Sequence, residues 1–254
     1  MQRELKRATA ALSKADPSPY FMSYTVADAE VSVIVGENGG IILDNQVHRR
    51  QGDVIMRVGS PALDNTHGQS RPSGITSGAL PLEDNPDAIS RVLWQLTDRE
   101  YEKASAAFLK VKTNTAVQSA EDDKSPDFSQ ETAQTHLDEN SWKSSFDQKE
   151  WEDRVRKVSE AFLKYPQVYD SAVFLTVENS RSYLATSEGT ALVRPAAVSR
   201  LVIQGETRAD DGMELLRVET FQGASPSDLP SEAKLAAKVQ KIGEDLTALR
   251  AAPV

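Results

Sequence analysis

Cysteine is missing altogether. Disulfides, thiolate metal ligands and a cysteine nucleophile are thereby excluded together, while the redox compartment stays open. Histidine is nearly as scarce. His48, His67 and His136 are the only three in 254 residues, and no two stand at the spacing of three or four that sets paired imidazoles on one helix face. A local zinc motif is absent. No window approaches the ~18 unbroken apolar residues of a membrane span, and the start, MQRELKRATAALSK, is charged and amphipathic rather than a basic end followed by an apolar core. The expectation is a cytoplasmic chain with no membrane partner, an exported form staying open if a leader precedes Met1. Basic residues are outnumbered 38 to 29, for a formal charge of −9, so no basic stripe invites a nucleic-acid backbone. The acidic excess is local: between Glu121 and Asp153 eleven carboxylates face three lysines. The rest is nearly neutral and carries no global steering field.

What the chain does have is alternation. In PYFMSYTV, Tyr20, Met22, Tyr24 and Val26 fall on one face and Phe21, Ser23 and Thr25 on the other, the period of two of a half-buried strand. Val31, Val33 and Val35 continue it, Gly39-Gly40 supply the positive φ of a tight hairpin, and Ile41, Ile42 and Leu43 open the return. Val54, Met56 and Val58 make a further apolar strand. These β-branched and aromatic residues suit a pleated sheet stabilised by cross-strand packing.

The order of these pieces resembles the amino-terminal region of bacterial TldD/PmbA proteins, the "modulator of gyrase" metallopeptidases. The residues carrying the resemblance are Pro19-Tyr20-Phe21, Arg49, Arg57-Val58-Gly59 and Leu63-Asp64-Asn65-Thr66. They are markers of fold, and none is a catalytic signature. The resemblance implies zinc-dependent cleavage of peptides or unfolded proteins in the whole protein. It also implies a later domain holding the zinc in a His-Glu-x-x-x-His helix, and an amino-terminal domain that helps form a dimer and enclose substrate. This sequence lacks the His-Glu-x-x-x-His motif.

Along the chain, residues 3–14 favour a short helix ended by Asp16-Pro17-Ser18-Pro19. Ser60 to Leu82 reads as a long loop of Pro, Gly, Ser and Thr. Asn85-Pro86 then starts a helix to about Lys112, with Ile89, Val92, Leu93, Leu96, Ala104, Phe108 and Val111 in one stripe. Residues 113–141 read as an acidic linker or excursion with few apolar anchors. Asp147-x-x-Glu150 resembles a capping box opening a second helix through Trp151, Val155, Val158, Phe162 and Tyr165. Strands resume over 168–178, 181–186, 190–206 and 213–221, with Asn179-Ser180, Glu188-Gly189 and Asp210-Asp211-Gly212 as turns and Pro195 at an interruption or an edge. A last helix carries Leu235, Val239, Ile242, Leu246 and Leu249. The fold class is therefore α+β, antiparallel strands covered by long amphipathic helices. It divides into a first half-unit (1–112), the linker (113–141) and a second half-unit (142–254). Gly39-Gly40 leading to Arg49 and VIMRVG is echoed by Glu188-Gly189 leading to Arg200 and LVIQG, an echo that two similar half-units would leave and that the grammar shared by all hairpins would leave as well.

Chemistry-bearing motifs all have simpler readings. His67 beside Asp64 and Asn65 could be a hydrolytic cluster, but Asp64-Asn65-Thr66 more simply forms a side-chain-bonded turn. Gly36 to Gly40 lacks the lysine and following helix of a phosphate loop. His48-Arg49-Arg50 could receive a carboxylate or phosphate, or be solvated strand residues. Gly74-x-x-Ser77-Gly78 misses the nucleophile-elbow spacing, and no carboxylates follow Asp210-Asp211-Gly212 as a calcium loop requires. The carboxylates near Glu121 have no apolar frame to raise a pKa. No catalytic, cofactor-binding or metal residue is assigned. Two functions fit. One is the non-catalytic amino-terminal portion of a TldD/PmbA-like zinc metallopeptidase, with a dimer partner of the same family, a peptide or unfolded-protein substrate, and zinc only in the domain bearing the motif. The other is a stand-alone, non-enzymatic module that holds an extended peptide along a sheet edge or the Ser60–Leu82 loop.

Overall fold

The computed structural model describes residues 1–68, 74–117, 125–138 and 144–252. In chain order the elements are α1 (Gln2–Leu12), β1 (Pro19–Glu37), β2 (Gly40–Ser60), β3 (Leu63–Asp64), β4 (Ile75–Ala79), α2 (Pro86–Val117) and β5 (Thr135–Leu137). There follow α3 (Gln148–Glu160), β6 (Asp170–Thr186), β7 (Ala191–Arg208), β8 (Glu214–Gly223) and α4 (Glu232–Arg250). The strands form one sheet in the order β3-β2-β1-β6-β7-β5, with β4 added to β2 and β8 to β7. Each half of the chain thus repeats one grammar: a helix, a long hairpin, a further strand on the hairpin's second arm, and a long helix. The class is α+β, as the alternation and the helical stripes predict.

The strands are longer than the sequence pattern suggests. No break occurs at Ala27–Glu30 because Asp28, though buried, is held by Arg50 of the neighbouring strand through Nε and Nη2 at 3.0 and 2.7 Å. Nor does Asn179-Ser180 turn. Asn179 is buried within β6, and its Oδ1 accepts from the backbone N and the hydroxyl of Ser144 at 2.9 and 3.0 Å. A buried polar residue with its partners in place does not interrupt a strand. The hairpin is present, but its turn falls one residue earlier than the expected Gly39-Gly40, at Asn38-Gly39 with φ of 48° and 83°, the pair of positive values a two-residue hairpin of matching twist requires, which asparagine tolerates.

Two other expectations are corrected. The Ser60–Leu82 stretch is not all loop, since β4 pairs with Gln51–Ile55 of β2. Its small residues hide it from a periodicity search, yet Gly78 is what lets α2 lie close: a Cβ there would sit 2.8 Å from Leu96 Cδ2. Arg71, Pro72 and Ser73 of that stretch lie outside the described residues. The 113–141 stretch is not simply a linker either. Helix α2 runs on to Val117, and β5 adds in parallel to Ala191–Val193 of β7. Its carboxylates at Glu121, Asp122 and Asp123 also lie outside the described residues. Pro195 falls between the part of β7 that pairs with β5 and the part, from Ser199, that pairs with β8. Among the described residues it pairs with neither β5 nor β8, so its missing N–H costs no bond to either.

The compact units are interleaved, where the sequence order suggests consecutive halves. One comprises Met1–Asp28, Arg49–Asn140 and Arg181–Pro195, the other Ala29–His48, Ser141–Ser180 and Ala196–Val254. The reason is strand length. At about 3.3 Å per residue each long strand can serve two cores, so each unit holds the base of one hairpin and the tip of the other. In the first unit Met22, Tyr24, Val26, Val54, Met56 and Val58 face Leu5 and Ala8 of α1 and Leu93, Leu96, Ala104 and Phe108 of α2. In the second, Val173, Leu175, Val177, Leu201 and Ile203 face Trp151, Val155, Val158 and Phe162, together with Leu235, Val239, Ile242 and Leu246 of α4. Gly243 keeps α4 bare where Tyr165 lies on it, since a Cβ would fall 2.5 Å from the ring.

Helix α3 is capped as its sequence predicts: Asp147 Oδ1 accepts from Glu150 N at 3.0 Å. Replacing Asp147 by Ala strands that amide, and the expected loss is about 1 kcal/mol, read as a lowered urea midpoint at unchanged slope. An unchanged midpoint would show that the cap contributes nothing.

Candidate functional site

The marker residues scattered over 19–66 meet at one place in the first unit. Asp64, on the two-residue strand β3, is fully buried. Its Oδ2 accepts from Tyr20 Oη and Arg57 Nη1, each at 2.7 Å. Its Oδ1 accepts from the backbone N and the hydroxyl of Thr66, each at 2.7 Å, and Arg57 also donates to Thr66 Oγ1 at 2.9 Å. Asn65 imitates a strand partner: its Oδ1 accepts from Val58 N at 2.7 Å, while its own N donates to Val58 O at 3.2 Å. The expected side-chain-bonded turn is present, and it is one part of a larger knot.

The rest comes from the acidic stretch. Asp127 accepts from Asp64 N at 2.9 Å and pairs with His67 Nδ1 at 2.8 Å. Phe128 stacks edge-on against Tyr20 and tilted against Phe21, with centroids 5.8 and 4.8 Å away, and lies 4.8 Å beneath the Arg57 guanidinium. Sequence reading missed both residues. The one signal was Phe128 itself, a lone aromatic in a hydrophilic run, and such residues seldom stay in water when a ring and a guanidinium are in reach.

The electrostatics of Asp64 and Tyr20 are those of a latch. Burial pushes the Asp64 carboxyl up, but the bonds from Arg57, Thr66 and Tyr20 outweigh it and hold the pKa below the usual carboxylate range. Tyr20 is pushed well above its ordinary value by burial and then by its bond to Asp64. Asp64 is thus a saturated acceptor and Tyr20 a committed donor, and neither can act as a general base. The zinc implied by the sequence resemblance does not fit here. His67 is the sole imidazole of the knot and is turned to Asp127, and among the described residues no three His, Asp or Glu side chains gather as a metal would require.

The other singled-out residues are placed plainly. Arg50 is largely buried and engaged with Asp28, the carbonyl of Pro81 at 3.1 Å and Asp84 at 2.9 Å, so it offers no open anion site. His48 and Arg49 lie on β2, and His136 lies on β5. Gly36 sits under α3, where a Cβ would meet Val155 Cγ1 at 2.6 Å. Asp210-Asp211-Gly212 is a turn, with Gly212 at φ 91° and Asp211 Oδ1 accepting from Met213 N at 3.0 Å. Ser77 is a strand residue of β4.

One surface of the second unit is open in another sense. Over Ile41–Val47, β2 has β1 on one side and, among the described residues, no strand on the other. Ile42, Leu43 and Val47 are 61, 46 and 44% exposed there. Gln148 of α3 reaches the Asp44 and Gln46 side chains of this stretch, but a strand edge with no strand beside it and apolar side chains on both faces is a template for one more strand. No helix among the described residues is long and apolar enough to cross a membrane.

No protein-family model matches the sequence, and no curated protein does. Solved structures do match. The fold is similar to that of a DNA gyrase modulator from Thermotoga maritima (TM-score 0.52, 12% identity), covering 98% of this chain and 48% of that one. It is similar to TldE from Thermococcus kodakarensis (0.53, 9%), covering 97% of this chain and 47% of that one. A DNA gyrase modulator from Bacteroides thetaiotaomicron (0.53, 9%) matches 94% of this chain and 49% of its own. The chain spans about half the length of these structures. The likeness establishes the fold, the one the markers at 19–66 resemble.

Proposed function

We propose that this chain is the non-catalytic, polypeptide-holding portion of a TldD/PmbA-like zinc metallopeptidase acting on peptides or unfolded proteins, with a dimerising or substrate-enclosing role. The observation that carries this reading is the fold likeness, which takes in nearly the whole chain and only half of each solved structure. The open edge of β2 supports it. Main-chain donors and acceptors along Ile41–Val47 give affinity for any extended chain, and Ile42, Leu43 and Val47 give it an apolar preference. Zinc chemistry belongs, in this reading, to a domain bearing His-Glu-x-x-x-His. A stand-alone peptide-binding module would use the same edge. The reading frame beyond Val254 separates the two: continuation into that motif supports the first, a stop codon the second.

The purified chain is expected to bind an unfolded, apolar peptide and to hold no stoichiometric zinc. It is also expected to cleave nothing, with or without added zinc. Methylating alternate amides of the peptide removes the ladder and is expected to abolish binding, as is Val47→Pro, while Asp211→Ala leaves it intact. A tightly held zinc with chelator-sensitive cleavage would overturn the reading, and His48, His67 and His136 would be the first residues to replace. Undiminished binding of the methylated peptide would remove the edge from it.

A further inference from the structure

Beside the latch, on the other side of Asn65, the first unit contains a cleft of about 240 Å³ lined by Asn65, Gly74, Ile75, Glu100, Lys103, Ala104 and Ala107. Glu100 of α2 is 1% exposed. Its Oε2 accepts from the Thr76 hydroxyl at 2.6 Å, but its Oε1, equally shielded from solvent, has no hydrogen-bond partner among the described residues. The space next to that oxygen is kept by Gly74 at φ 55°, whose absent Cβ would lie 3.4 Å from Oε1. One turn along α2, Lys103 Nζ donates to the same Thr76 hydroxyl at 2.9 Å, which leaves further ammonium donors at the rim. Burial raises the Glu100 pKa, opposed by Thr76 and by Lys103, so the ionised carboxyl bears a desolvation penalty that a bound donor would relieve.

We propose that this cleft binds a small zwitterion of the free amino-acid class, its ammonium on Glu100 Oε1 and its carboxylate on Lys103 Nζ. One hydroxyl bridges the two protein charges, so they are close enough to face the two ends of one small molecule. A bare cation would meet the Lys103 charge unopposed, and a bare anion that of Glu100. The volume, at about 30 Å³ per water, admits a molecule of several heavy atoms and not a drug-sized ligand. Ile75, Ala104 and Ala107 suit a short aliphatic side chain.

The test is calorimetric titration of the full chain with glycine, L-alanine, methylamine and acetate. Glycine and L-alanine are expected to bind, and methylamine and acetate each at least about tenfold more weakly. Glu100→Gln and Lys103→Met are each expected to weaken L-alanine binding about tenfold or more. Ala107→Phe, which fills the cleft and touches neither charge, is expected to abolish it, and circular dichroism checks that each variant is folded. Three results would overturn the proposal: no amino-acid binding at concentrations well above millimolar, methylamine bound as tightly as L-alanine, or affinity unchanged in folded Ala107→Phe.

Discussion

Asp64→Ala is expected to lower the stability of the chain by about 3–5 kcal/mol, the largest loss from any single polar substitution. The substitution removes the acceptor of four hydrogen bonds at once and leaves Arg57, only 22% exposed, without its carboxylate. Chemical denaturation of the variant against the parent measures it. Replacing both partners, as Asp64→Leu with Arg57→Met, is expected to recover much of the loss, because the penalty lies in the orphaned charge more than in the missing pair. A single-variant loss below about 1 kcal/mol would mean the latch is loose in solution. The same residue sets an acid limb. Its folded pKa lies below its ordinary value, so its contribution is fully present above the unfolded pKa of about 4. That contribution falls away as pH drops through the lower folded value. The acid limb of the stability profile is expected to flatten in Asp64→Ala.

Gly59→Ala is the second large effect, expected at about 3 kcal/mol or more, from left-handed strain and overpacking together. At φ 111° the backbone is closed to side chains. The added Cβ would also fall 2.5 Å from Phe108 Cε2 and 2.6 Å from the Leu63 carbonyl oxygen. The carbonyl cannot move without dragging β3, and β3 carries Asp64. Gly40→Ala serves as the comparison, since its nearest neighbour is 3.4 Å away and its φ is not positive, and it is expected to stay near neutral. Thermal unfolding of the two variants side by side decides it. Equal midpoints would show that β3 adjusts freely.

The two glycines show what a sequence displays and what it hides. Gly39-Gly40 announces a hairpin because turn chemistry is local, and Asp147 announces a helix start for the same reason. The stripes Leu93–Leu96–Phe108 and Trp151–Val155–Val158–Phe162 are equally plain, because a helix repeats its buried face every three or four residues. Gly59 and Gly78 give no such signal. Each faces an atom more than a dozen residues away in sequence that leaves no room for a Cβ, Phe108 for one and Leu96 for the other.

The sequence by itself determined the α+β class, the order of helices and hairpins, the helical stripes, and the absence of a local zinc motif. All follow from periodicity, turn chemistry and residue inventory, which act over a few neighbours. Only the tertiary structure decided that the hairpins are unbroken through Asp28 and Asn179, that the compact units are interleaved, and that Asp127 and Phe128 close the latch on Asp64. Among the described residues, it alone leaves Glu100 Oε1 without a partner and Ile41–Val47 without an outer strand. These depend on pairings between residues tens of positions apart, where a buried polar group is tolerated or left wanting according to what the fold brings to it.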